Sequence, residues 1–249
     1  MRIHILGIPI DAVARTEAVR RAEGMFDTSH GHMIATPNPE MLVDASRDSA
    51  FAAALNSADL AIPDGVGLLI VARLLGKKIP ARISGTDFID DLATLAVKHQ
   101  KRIFLLGGEG ERVAQRSADV LVKRHPGLQI AGAISGVKVF WEDTITPVID
   151  GDALVSLKAA APDIILVAFG HRKQELWIQK SLPSLPSVRI AMGVGGAFDF
   201  IAGDVVRAPT VIRSLGLEWL WRLILQPWRA KRIWKAVVTF PWLAFKAGR

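Results

Sequence analysis

Seven short apolar runs, each followed by a stretch with helical spacing, constrain this chain more than any other feature. The runs are 3–8, 32–36, 59–63, 102–106, 128–134, 163–169 and 189–194. The helical stretches are 12–23, 39–56, 66–75, 87–99, 110–125, 142–160 and 172–181. Short unbroken apolar runs suit strands buried on both faces. Strand–helix–strand repetition then implies parallel pairing through right-handed crossovers. The expectation is α/β: a single domain with a mostly parallel sheet flanked by helices. Half of the 249 residues are hydrophobic, enough for a sizeable core. The turn-rich segment 181–187 is too short to be an interdomain linker.

An open parallel sheet places its site beyond the carboxyl ends of its strands. Two runs end there in small polar clusters. Met33-Ile34-Ala35 runs into Thr36-Pro37-Asn38, and Leu60-Ala61-Ile62 into Pro63-Asp64-Gly65. Thr36, Asn38 and Asp64 can therefore converge at one sheet edge as a polar-ligand site with one candidate general base. Each also has a structural reading. Asp64 suits the cap of a helix starting near Val66, and Thr36 and Asn38 suit a turn opening a helix at Pro39. Gly107-Gly108 follows another run and precedes a helix, so its amides could hold a diphosphate, or the glycines could simply allow close packing. Gly193-Val194-Gly195-Gly196 is open to the same two readings.

The order Thr36-x-Asn38-Pro39-Glu40, Pro63-Asp64-Gly65, Arg82-x-x-Gly85-Thr86-Asp87, Phe169-Gly170 with Gln174-Glu175, Gly193 to Phe200, Arg207-Ala208-Pro209 and Gly216-Leu217-Glu218-Trp219-Leu220 resembles the WecG/TagA/CpsF family of bacterial glycosyltransferases. The resemblance runs along nearly the whole chain. It implies that Asp64 is the catalytic base and that Thr36 and Asn38 stand beside it. It implies that Arg82 faces a leaving diphosphate, that Gly107 and Gly108 lie near the donor nucleotide, and that Gln174, Glu175, Gly193 and Gly195 belong to the substrate-binding edge. The implied reaction is inverting transfer of a sugar, N-acetylmannosamine foremost, from a UDP-sugar donor to a lipid-linked sugar acceptor on a polyprenyl diphosphate. UDP-glucose and UDP-N-acetylmannosaminuronate are alternative donors. The family also implies a homo-oligomer and no metal or other cofactor. One departure falls beside the site: Arg172 stands where the family usually has proline. Trp221 in place of tyrosine and Val211 in place of tryptophan are milder.

Net charge is confined to the end of the chain. Residues 213–249 hold eight basic residues and one acid, Glu218, while residues 1–212 hold 23 of each sign. The last 37 residues therefore carry the whole net charge of +7 and five of the seven tryptophans. The expected division is a glycosyltransferase domain over 1–212 and a basic, aromatic helical appendage over 213–249. Helix breaks are expected at Pro227 and Pro241. On a helical wheel Glu218, Arg222, Arg229 and Arg232 fall within roughly 80° of one another. The resemblance aims these arginines at the acceptor or donor diphosphate. A basic segment attracts nucleic acid or an anionic membrane surface. Leu223, Ile224, Leu225, Val237, Val238, Phe240, Leu243 and Phe245 favour the membrane, since nucleic-acid arms rarely carry this much aliphatic surface.

Several classes are excluded or disfavoured. With no cysteine there is no disulfide, thiolate metal site or cysteine nucleophile. His30-Gly31-His32 is too sparse for a metal site, and Asp150-Gly151-Asp152 reads as a turn rather than a cation-binding pair. Leu6-Gly7-Ile8-Pro9 supplies one glycine where a dinucleotide fold needs three, which argues against an oxidoreductase. A non-catalytic docking protein that binds a nucleotide sugar remains the rival. No apolar run approaches the roughly 18 to 20 residues that span a bilayer, and no leader pattern opens the chain. The expectation is a cytoplasmic protein, peripheral at the inner face of the plasma membrane.

Overall fold

The computed structural model describes residues 1–143 and 145–247. Six parallel strands form the central sheet in the order β4-β3-β10-β9-β5-β6. They are β3 (His32–Ala35), β4 (Leu60–Ala61), β5 (Arg102–Gly107), β6 (Gln129–Ile134), β9 (Ile164–Ala168) and β10 (Ile190–Gly193). Their side chains alternate between two apolar layers. Ile34, Leu60, Leu105, Leu166 and Met192 pack beneath α1 (Arg15–Gly24), α5 (Gly85–Lys98), α6 (Val113–Arg124) and α9 (Ala197–Ala202). Met33, Phe104, Leu106, Val167 and Ala191 pack on the other face, with α2 (Pro39–Ala45), α3 (Ser49–Asn56), α7 (Gly151–Ala160) and α8 (Lys173–Ser181). Burial on both faces is why these strands lack a polar alternation.

The first apolar run is not a strand of this sheet. It folds as an antiparallel hairpin, β1 (Arg2–Ile5) with β2 (Ile8–Asp11). Leu6 and Gly7, with φ of 51° and 76°, form the two-residue turn that such a hairpin favours. Asp11, buried and paired with Arg2 at 2.8 Å, accepts from the Ala61 amide at 2.8 Å and so ties the hairpin to β4. The stretch 39–56 is two helices, because Asp48 caps a new one by accepting from the Phe51 amide at 3.0 Å. The stretch 142–160, which includes Thr144 outside the described residues, begins with a hairpin strand. β7 (Val139–Trp141) pairs with β8 (Pro147–Ile149), and α7 starts only after Asp150, which caps it.

The chain ends in a helical segment. After α4 (Val66–Leu74) on the body come α10 (Thr210–Ser214), α11 (Glu218–Leu225), α12 (Ala230–Trp234) and α13 (Phe240–Ala247). Pro227 ends α11, as expected. Pro241 does not break the last helix. Residues Lys235–Thr239 form a π-helical stretch in which the Phe240 amide reaches back five residues to the Lys235 carbonyl, and this re-registration absorbs the missing proline donor. Arg249, counted above among the basic residues, lies outside the described residues. Among the described residues no helix is long and apolar enough to cross a membrane.

This last helix packs on α2. Phe240 and Ala244 are fully buried, and Lys235 pairs with Asp44 at 2.7 Å. Phe240→Ala should cost about 3 kcal/mol of this docking. Limited trypsin digestion would show it as faster cleavage at Arg229, Lys231 or Arg232, with the rest of the chain intact.

Candidate active site

The carboxyl ends of β3 and β4 are stitched together by the main chain. The Ile62 amide donates to the Ala35 carbonyl at 2.9 Å, and the Asp64 amide to the Pro37 carbonyl at 3.0 Å. Gly65 then turns the chain at φ +110°, where a side chain would be strained and would press on Pro39. Gly65, not Asp64, caps α4. The Asp64 carboxylate faces instead the start of α5, where Oδ2 accepts from the Gly85 amide at 3.3 Å. The cap reading therefore fails for Asp64. It holds for Asn38, whose Oδ1 accepts from the Met41 amide at 3.0 Å and opens α2, leaving its NH2 as the free polar group.

Two cavities, of about 220 Å³ and 330 Å³, meet at Asp64. The smaller lies between the start of α4 and the C-terminal segment, with Arg82, Trp219 and Ile233 in its wall. The larger follows the strand ends past Thr36, His171, Lys173, Gly195 and Asp199. A third, of about 240 Å³, continues it along Gly108, Glu109, Val139 and Lys173. Asn38, Thr86, Arg222, Arg229 and Arg232 border both of the first two, and among the described residues Asp64 is the only carboxylate that does.

The electrostatics are strongly asymmetric. Burial pushes the Asp64 carboxyl above its ordinary value of 3.8, against the attraction of Arg82 and the Gly85 amide. The amino end of α5 favours the charged form as well. Arg82 is shared with Glu218 at 3.4 Å, and Arg222 reaches the same carboxylate at 3.8 Å. Arg222 also stacks on Phe200 at 4.5 Å. Burial disfavours the charge on Arg222 and Arg229, and Arg232 repels both. The Nε atoms of Arg222 and Arg229 are buried with no partner among the described residues. Guanidiniums held close together with donors unspent are matched by an anionic group such as a diphosphate.

Arg232 is fixed through its Nε, which donates to both carboxylate oxygens of Glu40 at 2.8 and 3.0 Å. Beside it His171 bonds Asp44 at 3.0 Å. Burial pushes Asp44 up, but its bonds from His171 and Lys235 hold it below the usual carboxylate range. Glu40, Asp44 and His171 offer ligand atoms within 4.8 Å of one another, the one such cluster among the described residues. All three already serve the docked cations. A metal ion there would have to displace Arg232 and Lys235, and nothing in the arrangement favours that exchange.

Gln174 reaches the wall of the larger cavity, whereas Glu175 stands behind it. Gln174 is buried, accepts from the Gly195 amide at 2.9 Å and donates to Glu175 at 2.8 Å. A Cβ at Gly193 would come within 2.6 Å of the Gln174 amide nitrogen, so this glycine makes room for Gln174. Gly107 likewise accommodates Ala168 at the end of β9 and Phe169 just after it. Gly107, Gly193 and Glu175 do not line the cavities; Gly108, Gln174 and Gly195 do. Burial raises the Glu175 carboxyl, against its bond from Gln174. His30 and His32 stack on each other away from the site, with His32 bonded to Thr28.

Sequence reasoning missed Lys173, His171, Glu109 and Asp199, which line the cavities, and Glu40, which fixes Arg232. Glu40 was visible within the Asn38-Pro39-Glu40 motif, but its partner lies 192 residues away. Arg172 turns out to face the other way. At φ 71° it pairs with Asp48 at 2.5 Å and stacks on Trp141 at 4.6 Å, pinning the β7–β8 hairpin to α3.

Arg172→Pro should cost roughly 3 kcal/mol in a denaturant melt, because proline cannot adopt a positive φ. A second expectation concerns pH. The folded chain holds the Asp64 proton at higher pH than the unfolded chain does. Its contribution to stability therefore declines as pH rises above 3.8 through the raised folded value. Asp64→Asn should melt at a higher temperature than the parent at pH 8, with the difference vanishing toward acid pH.

Residues 3–249 match the Glycosyl transferase WecG/TagA/CpsF family. The chain is 33% identical to the N-acetylglucosaminyldiphosphoundecaprenol N-acetyl-beta-D-mannosaminyltransferase of Bacillus spizizenii, over 87% of this chain and 78% of that protein. It is likewise 33% identical to the protein of that name in Bacillus subtilis, with the same coverage. The Staphylococcus aureus protein of that name is 28% identical over 100% of this chain and 94% of its own length. Matched along almost its whole length, the chain belongs to the WecG/TagA/CpsF family and is a glycosyltransferase.

Proposed function

We propose that this glycosyltransferase moves an N-acetylmannosamine-type sugar from a UDP-sugar to a sugar carried on a polyprenyl diphosphate, with inversion at the anomeric carbon. One observation carries the reading: two cavities share a single carboxylate, Asp64, and three arginines. That is the layout a two-substrate transfer between diphosphate-bearing partners requires. The relatives' names, which specify a diphosphoundecaprenol-linked acceptor and a β-linked product, support it.

In this reading the donor occupies the larger cavity, with Lys173 and Arg229 toward its diphosphate and Glu109 and Asp199 placed to accept from its hydroxyls. The acceptor enters the smaller one. Asp64 takes the proton of the acceptor hydroxyl as that oxygen bonds to the anomeric carbon. The bond from that carbon to the diphosphate oxygen breaks, and UDP leaves with the electron pair. Arg82, Arg222, Arg229 and Arg232 offset the charge that develops on it. Thr36 and Asn38 orient the reacting sugars. Gln174, Glu175 and Gly193 act indirectly by holding the Gly195 edge. A raised Asp64 makes a better base, and water excluded from the cleft strengthens each charge interaction.

The appendage supplies the membrane contact. Trp234, Val237, Val238, Trp242 and Phe245 are exposed along the π-helical stretch and the helices on either side of it, while Phe240 and Ala244 are buried against the body. Apolar on both sides, this segment suits a place between the protein body and the headgroup region at the inner face of the plasma membrane. The acceptor's lipid would approach along it.

UDP release measured over a panel of UDP-sugars, with a short-chain polyprenyl-diphosphate-sugar acceptor, tests the reading. One donor should give acceptor-dependent release, and that donor names the sugar among N-acetylmannosamine, its uronic acid and glucose. Asp64→Asn should lower kcat/KM by roughly 10²- to 10⁴-fold. UDP binding without release for every donor would instead favour a docking protein. The pH profile of kcat/KM should fall on its acid side through one ionisation lying above 3.8, and Asp64→Asn should abolish that limb.

A further inference from the structure

Helix α4 presents an exposed apolar pair that no part of the reaction uses. Ile70 and Leu74 are 54% and 61% exposed. They stand one turn apart on the same face, with exposed Arg73 beside them. Lys77 and Lys78 follow at the carboxyl end. From Val66 to Thr86 the chain has four basic residues and no acid. Arg73, Lys77 and Lys78 take part in no ion pair among the described residues, although Lys77 donates to the His4 carbonyl at 2.6 Å. Exposed Val122 on α6 also precedes basic residues, Lys123 and Arg124, but there Arg124 pairs with Asp90 at 3.6 Å.

The position of α4 is as telling as its composition. It packs against the last helix, with Gly67 set so that a Cβ would lie 3.9 Å from the Ala236 carbonyl. Leu69 and Leu243 join the same apolar cluster. Ile70 stands about one turn beyond Gly67, so the exposed pair lies beside the side of α4 that meets the C-terminal segment. The smaller cavity reaches this junction, with Val66 of α4 and Ile233 and Ala236 of the C-terminal segment in its wall. Cations at the edge of an apolar strip match anionic headgroups over acyl chains, and neutral or cationic surfaces do not.

We infer that α4 is a second membrane foot: with the C-terminal helix it forms a two-part platform that sits on an anionic bilayer and holds the smaller cavity open toward the lipid. This rests on the proposed membrane docking of the appendage, and it adds a contact from the body itself. A single helix leaves the protein free to roll about its axis. Two feet fix the cavity mouth against the surface from which a lipid-linked acceptor would enter.

The test is flotation of the full-length protein with vesicles of phosphatidylcholine, with and without phosphatidylglycerol. The unsubstituted protein should bind the anionic vesicles preferentially. Ile70→Ser with Leu74→Ser should weaken that binding about tenfold or more. Arg73→Gln with Lys78→Gln should weaken it roughly fivefold per charge and flatten its salt dependence. Because all four side chains are exposed, melting temperatures should move by less than about 3 °C. Trp234→Ser with Trp242→Ser reports on the appendage separately. If that pair loses binding while both α4 pairs bind like the unsubstituted protein, the second foot is overturned and the appendage reading stands. If the unsubstituted protein shows no preference for anionic vesicles, both are overturned. If the α4 pairs leave vesicle binding intact but dissociate an oligomer in sedimentation velocity, the face belongs to a second copy of the chain, which also overturns the inference.

Discussion

The docking of the last helix on α2 is the constraint on which the site depends. Phe240 fills a fully buried position, Arg232 grips Glu40 and Lys235 grips Asp44. Through this contact three guanidiniums reach a cleft whose own walls supply only Arg82 and Lys173. Crowding those cations is unfavourable in itself, since each is partly stripped of water and repelled by the others. Glu40 and Glu218 offset part of that cost. An anionic substrate that bonds the unspent Nε donors of Arg222 and Arg229 would offset more, which couples substrate binding to appendage docking.

Asp64 sits at the balance point of the opposing charges. Burial favours its neutral form, while Arg82, the Gly85 amide and the start of α5 favour the charged one. Burial prevails, and the result is a carboxyl more basic than one in water, as the proposed role in proton abstraction requires. The same placement works against stability at neutral pH. Destabilising placements of this kind are expected where function rather than packing selects the residue.

The scaffold explains why the site is where it is. Parallel strands end together on one edge, and the glycines there have distinct duties. Gly65 supplies a backbone angle that side chains avoid. Gly193 supplies room for Gln174, which in turn holds the Gly195 amide. Glu175 supports the cavity edge from behind, bonded by Gln174, which itself reaches the cavity wall.

Much of this was legible in the sequence, because burial on both faces of a parallel strand leaves an unbroken apolar run. Six of the seven runs are strands of the sheet, and the polar clusters after β3 and β4 lie at the cleft. The first run failed the reading because two left-handed residues, Leu6 and Gly7, fold it back on itself, and apolar content alone does not reveal a turn. Pro241 failed it too, because a π-helical stretch can absorb a missing donor. The wheel that grouped Arg222, Arg229 and Arg232 assumed one helix. The arginines do converge, but across the break at Pro227, so packing and not helical period brings them together. Local sequence determined the strands, most of the helices and the identity of the candidate base. Tertiary structure alone decided which distant charges pair, Glu40 with Arg232 and Arg172 with Asp48. Such pairs are set by where whole elements come to rest, and no spacing along the chain encodes that.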